Sequence, residues 1–328
     1  MKFSTVLSAG LLSTVASALP VSVLEEFYKR DLLTSTTAED VTYFNGSTPV
    51  NTTNNTGVLY TYGNHLNSTN ATDVETLPFS LNSTNLTTVE IVEVAEYVEA
   101  ALFSLNDSSV VVTVAEESLA STGFFLGLSY PNKTVIVSEN ITKGLLVAKD
   151  EASAERGALI VDASGYIYDT VSYPNCPVGV VTASEKVVFY TTPSLVSILD
   201  PRTSVFYTNA FSVNISSAVE NIATVPVISY SNTTFAALLN ASVAQYKGVV
   251  VSAPNVSTLA EISIPTSLNG TKVVVAVEDA EYVDQALFKN STDVVAAGNL
   301  GPEQARVLLT VALTAGFDSY SNLTTLFP

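Results

Sequence analysis

Side chains able to begin a reaction are scarce in this sequence. Among 328 residues there is one His, His65, and one Cys, Cys176. A Cys/His metal site therefore has too few ligands, and a disulfide framework has no second thiol. His65 lies in Gly63-Asn64-His65, inside an Asn- and Thr-rich stretch, and reads as a solvent-exposed loop residue. Cys176 sits between Asn175 and Pro177 with no cation near it in sequence, so it reads as a buried, inert thiol in a turn. No P-loop, G-x-G-x-x-G or G-x-S-x-G occurs, which leaves nucleotide binding and serine-hydrolase chemistry without a motif and implies no cofactor. What remains is hydroxyl and carboxylate chemistry. A Ser or Thr hydroxyl needs a neighbour that takes its proton and donors that hold the developing oxyanion. The run Glu116-Glu117-Ser118 supplies two carboxylates and a hydroxyl at the head of a predicted helix. Adjacent helical residues do not face each other, and carboxylates in a first turn are already favoured by the helix dipole.

Elements must hold these groups, and they are legible after residue 88. Apolar positions recur at three-to-four spacing over 89–103, predicting a helix. A wholly apolar strand follows at 110–114, then a helix at 116–128, a strand at 134–137, a helix at 143–154 and a strand at 158–161. Residues 166–170, 178–182 and 186–190 read as short antiparallel strands. The rhythm fails over 191–223, which contains Pro193 and Pro201 and reads as a linker. It resumes with strands at 225–230, 248–252, 272–277 and 293–297 and helices at 234–246 and 301–313. Continuous apolar strands alternating with helices mean a parallel sheet covered on both faces. The expected fold is therefore α/β, with a larger N-terminal parallel-sheet domain over 31–190 and a smaller C-terminal α/β domain over 224–328.

Composition points outside the cell. Lys plus Arg number 13 against 31 Asp plus Glu, a net charge of −18, while charged residues are only 13% and hydrophobic ones 47%. That balance describes a folded chain rather than an acidic disordered one, and it excludes the basic surface a nucleic acid requires. Lys2 followed by an apolar run and Ala16-Ser17-Ala18 has the pattern of a signal peptide over 1–18. Lys29-Arg30 looks like a dibasic site for the Golgi processing protease of yeasts, a cut that would make 19–30 a propeptide. No later run is apolar for long enough to cross a membrane. Seventeen N-x-S/T sequons occur, at Asn45, Asn51, Asn54, Asn67, Asn70, Asn82, Asn85, Asn106, Asn132, Asn140, Asn214, Asn232, Asn240, Asn255, Asn269, Asn290 and Asn322. Seven of the 17 fall between residues 45 and 85, so 45–88 reads as a sugar-coated loop region. The expectation is a secreted, N-glycosylated yeast protein, extracellular or held in the wall, with cell-wall glycans as its partners.

Four segments then carry a resemblance. Residues 299–314 read N-L-G-P-E-Q-A-R-V-L-L-T-V-A-L-T, 246–251 read Y-K-G-V-V-V, 155–161 read E-R-G-A-L-I-V, and 121–128 read S-T-G-F-F-L-G-L. In order and spacing these are similar to segments of secreted, type II L-asparaginases, whose C-terminal helix reads L-N-P-Q-K-A-R-x-L-L-x-L-A-L. The resemblance covers about 90–328 and, more weakly, 41–88. It implies the two-domain asparaginase-like fold, a homotetramer, and opening of a side-chain amide through an acyl-enzyme. The family's nucleophilic Thr falls on Thr48, in Gly46-Ser47-Thr48-Pro49-Val50. Its second motif, H-G-T-D-T, falls on Val114 to Ser118, so Glu116 replaces the Thr, Glu117 the Asp, and Ser118 alone keeps a hydroxyl. No Lys occurs between Lys149 and Lys186, where the family's K-T-N belongs. A degenerate member without asparaginase activity, with a binding or structural role, is the function this pattern implies. The alternative is an amidohydrolase with a rebuilt site, releasing ammonia from asparagine or glutamine.

Overall fold

The computed structural model describes residues 55–62, 74–81, 83–105, 107–154, 156–190, 222–230, 234–262, 264, 268, 270–278, 281–288 and 291–327. Their strands are β1 (Thr56–Tyr60), β2 (Val74–Ser80), β3 (Ser109–Thr113), β4 (Thr134–Ser138), β5 (Ala158–Val161), β6 (Tyr166–Asp169), β7 (Pro177–Val181), β8 (Val187–Phe189), β9 (Val227–Ser229), β10 (Gly248–Ala253), β11 (Lys272–Val277) and β12 (Val294–Ala296). The α-helices are α1 (Thr88–Glu99), α2 (Glu116–Ser129), α3 (Ile141–Lys149), α4 (Phe235–Gln245), α5 (Pro302–Thr314) and α6 (Tyr320–Leu326).

Two sheets result. The larger runs β2-β1-β3-β4-β5-β6-β7-β8, and the smaller β12-β11-β10-β9. In the larger sheet β1 to β5 pair parallel and β6 to β8 extend it antiparallel. The smaller sheet is parallel throughout. This is the α/β architecture expected from the alternation of apolar strands and helices.

Period-2 alternation sorts each strand's side chains between two cores. In β3, Val110 and Val112 face one core and Val111 the other. In β10, Val250 joins the first of these cores, whereas Val249 and Val251 join a third, beneath α4. The first core thus holds α1, α2, α5 and one face of each sheet. Helix α2 is buried on nearly every side, with Leu119, Phe124, Phe125 and Leu126 at most 2% exposed. A helix apolar all round belongs inside, and each such side chain stabilises by about 1.5–3 kcal/mol. Close approach at two glycines permits this layering. A Cβ on Gly123 would stand 2.5 Å from Ile160 of β5, and one on Gly248 would stand 2.4 Å from Leu313 of α5.

Local signals set the ends. Thr87 and Glu90 form a reciprocal capping box at α1, and Pro302 opens α5. Helix α3 begins and ends earlier than the apolar periodicity predicts. Asn140 caps it by accepting the Lys143 N–H, and extended Asp150 ends it before a short 3-10 turn, Glu151–Ser153. The 45–88 stretch, read as a loop region, contains β1 and β2. All five residues of β1 are buried, and β1 lies between β2 and β3. A strand of five residues carries too little periodicity to stand out among Asn and Thr.

The end of α1 is unusual. The chain continues as a π-helix, Ala100–Leu105, a rare geometry often found at functional positions. Just before it Glu99 is 1% exposed, and its Oε2 has no hydrogen-bond partner among the described residues. Burial, with Glu96 one turn back, pushes the Glu99 carboxyl up to about 8. Tyr130, at the end of α2, donates its hydroxyl to Ala95 O at 2.7 Å. Burial raises this phenol well above its ordinary range, with the charges of Glu99 and Glu96 adding to it.

Candidate functional site at the carboxyl rim of the large sheet

Ligands of open α/β sheets sit beyond the carboxyl ends of the strands. Here the rim is formed where β1, β3, β4 and β5 end. Each of the first three ends near a hydroxyl, and each hydroxyl is engaged by backbone. Thr61 Oγ1 donates to Thr113 O at 2.7 Å. Thr113 Oγ1 lies 3.2 Å from Leu59 O and 3.3 Å from Tyr62 O. Ser138 Oγ donates to Asn140 O at 3.0 Å and accepts the Asn140 N–H at 3.1 Å.

Ser118 follows the same rule. It is fully buried, its Oγ donates to Thr84 O at 3.0 Å, and it accepts the Leu86 N–H at 2.8 Å. Its single proton is thus committed to a carbonyl, and the hydroxyl ties the connection after β2 to the first turn of α2. Glu116 and Glu117 occupy that first turn and are exposed. The structure therefore brings Glu116, Glu117 and Ser118 to one turn but points the carboxylates to solvent and the hydroxyl inward. Thr48 and His65 lie outside the described residues. Cys176, expected to be buried, is exposed. It belongs to a turn whose Ser172 carbonyl accepts the Asn175 and Cys176 N–H groups, which lifts the thiol off the sheet.

The remaining rim groups escaped sequence reasoning. Glu139, after β4, accepts the Ala163 N–H at 2.8 Å. Burial raises its carboxyl, the Ala163 N–H opposes this, and the charges of Glu116, Asp162 and Glu117 raise it further. Asp162, after β5, accepts the Gly165 and Tyr166 N–H groups at 2.7 and 2.9 Å and the Tyr168 hydroxyl at 3.3 Å. Tyr168 meets the Tyr173 ring edge-on at 5.1 Å. Burial and then Asp162 push the Tyr168 phenol up to about 12. Burial and then the Glu139 charge raise the Tyr173 phenol. The Lys143 ammonium donates to the Ala163 carbonyl. The only signal for Glu139 and Asp162 in sequence is position, one or two places beyond an apolar run. Among the described residues no three His, Cys, Asp or Glu side chains are grouped to hold a metal ion. No helix among the described residues is long and apolar enough to cross a membrane.

No protein-family model matches the chain. Along its whole length it is 25% identical over 346 residues to the sporulation-specific wall maturation protein of Saccharomyces cerevisiae, covering 99% of that protein. It is 26% identical over 370 residues to Protein YGP1 of the same yeast, and each chain is covered completely. In three dimensions it resembles a crystal structure described as "Probable Cytoplasmic L-asparaginase from Campylobacter jejuni". That match has a TM-score of 0.63 at 18% identity and covers 83% of this chain and 98% of the other. The fold is asparaginase-like. At this identity the likeness speaks for the fold and not for the chemistry.

Proposed function

We propose that this chain is a secreted, N-glycosylated protein of the yeast cell wall or extracellular space that uses a degenerate type II asparaginase scaffold without amide hydrolysis. One observation carries the proposal. The described Ser and Thr hydroxyls at the carboxyl rim, Ser118 included, donate to backbone carbonyls, so among the described residues none of these is poised against a base as a nucleophile must be. The whole-length similarity to a wall maturation protein supports the placement in the wall. The scarcity of charge supports a coat of sugars, since 13% charged residues leave much of the solvation to other groups. Of the sequon asparagines among the described residues, Asn85, Asn132, Asn140 and Asn240 are exposed and Asn255 and Asn322 half-buried, positions open to modification.

The test is ammonia release from asparagine and glutamine by the purified, secreted protein. Release at the buffer rate is expected. Turnover well above that rate, and lost in Thr48→Ala, would show a working amidohydrolase and refute the proposal.

A further inference from the structure

Two sequon asparagines lie on the carboxyl rim itself, and the fold holds both. Asn85 is exposed in the connection between β2 and α1. Both of its neighbours are fixed by one side chain, because Ser118 Oγ donates to Thr84 O and accepts the Leu86 N–H. Ser83 Oγ adds a hydrogen bond to Asn85 O at 3.2 Å. The third residue of this sequon, Thr87, is the N-cap of α1. Asn140 follows β4 and is exposed. Its Oδ1 accepts the Lys143 N–H at 3.2 Å, which sets the amide plane and leaves Nδ2 clear of the cap. In the sheet, β1 and β3 separate β2 from β4. At about 4.8 Å per strand the two asparagines flank a rim roughly 15 Å wide. Glu116 and Glu117 stand between them, joined to the Asn85 connection through Ser118 and acting by charge on Glu139 beside Asn140.

We propose that the carboxyl rim is a glycan-covered face, with N-linked oligosaccharides on Asn85 and Asn140 closing over Glu116 and Glu117. Each Nδ2 takes its sugar from a lipid-diphosphate oligosaccharide donor. The N–C1 bond forms, the C1–O bond to the diphosphate breaks, the lipid diphosphate departs, and one amide proton passes to a base. Such sugars are bulky and solubilising. Ser118, assigned by resemblance to catalytic machinery, then serves as the positioning residue that presents Asn85. The proposal rests on the secretion reading, and the experiment separates the two.

The full chain is expressed in a secreting yeast, and glycosylated asparagines are mapped by mass spectrometry after enzymatic release of the sugars in heavy-oxygen water. Carbodiimide labelling of Glu116 and Glu117 is then compared between the native glycoprotein, the Asn85→Gln/Thr142→Ala double variant, and native protein trimmed to one sugar per site. Thr142→Ala removes the Asn140 sequon but keeps its helix cap, and Asn85→Gln keeps the Thr87 cap. Both asparagines are expected to be occupied. Labelling is expected to be several-fold slower in the native form than in the double variant or the trimmed protein. A secreted chain with sugar on Asn132 or Asn240 but none on Asn85 or Asn140 overturns the proposal and leaves secretion standing. Equal labelling of native and trimmed protein also overturns it. Absence of the chain from the medium overturns the secretion reading and this proposal with it.

Discussion

Glu99→Gln isolates the buried carboxyl at the end of α1. In the folded chain this group is 1% exposed and held at about 8, against an ordinary value of 4.5. Burial is the larger cause and the Glu96 carboxylate the smaller. The folded state therefore keeps a proton that the unfolded chain loses. Stability from this group is fully present below pH 4.5 and is lost as the pH rises through about 8. A gap of about 3.5 in pKa, at about 1.4 kcal/mol for each unit, gives on the order of 4–5 kcal/mol as an upper bound. Gln has the size of the protonated acid and cannot ionise. Urea unfolding followed by far-ultraviolet circular dichroism, repeated from pH 4 to pH 9, measures the effect. The native chain is expected to lose stability steadily across that range, and Glu99→Gln to lose much less and to be the more stable form near pH 8. A smaller slope should persist in the variant, because burial also raises the Glu139 and Asp169 carboxyls. Parallel pH profiles for the two proteins, or native stability that rises over this range, would refute the reasoning.

Other substitutions test the scaffold. Ser118→Ala should cost about 1–3 kcal/mol, since it leaves the buried Leu86 N–H unsatisfied; a chemical-denaturation midpoint reads the loss, and no change would mean that water replaces the hydroxyl. Gly248→Ala should cost about 1–3 kcal/mol by driving a methyl into Leu313 and Leu309 of α5, and a melting curve at unchanged stability would show that α5 shifts freely. Arg306→Lys should cost about 1 kcal/mol, because Arg306 Nε donates to Glu303 at 2.8 Å while Nη1 donates to Thr88 at 3.0 Å, a fork that an ammonium does not reproduce. If the tetramer implied by the resemblance is kept, light scattering of the deglycosylated protein should report four chains, and a clean monomer would reject it.

Sequence alone determined the layered α/β class. Apolar runs such as 110–114 and 272–277 and the helix opening at Pro302 encode their own structure, because burial on both faces leaves no polar position to blur the pattern. The four segments resembling asparaginases are legible for the same reason, since they pack in the core and keep its shape. β1 and β2 were not legible, because both are set among Asn and Thr and β2 mixes Glu75, Thr76 and Pro78 with its apolar residues. Only the tertiary structure could decide the rim. It turns Ser118 inward while Glu116 and Glu117, two residues and one residue earlier, face water. It brings Glu139 and Asp162 beside them across strand neighbours, and it places Asn85 and Asn140 on either side. Whether a hydroxyl is a nucleophile depends on which atom receives its proton, and that partner is fixed by strand order and register, not by spacing along the chain.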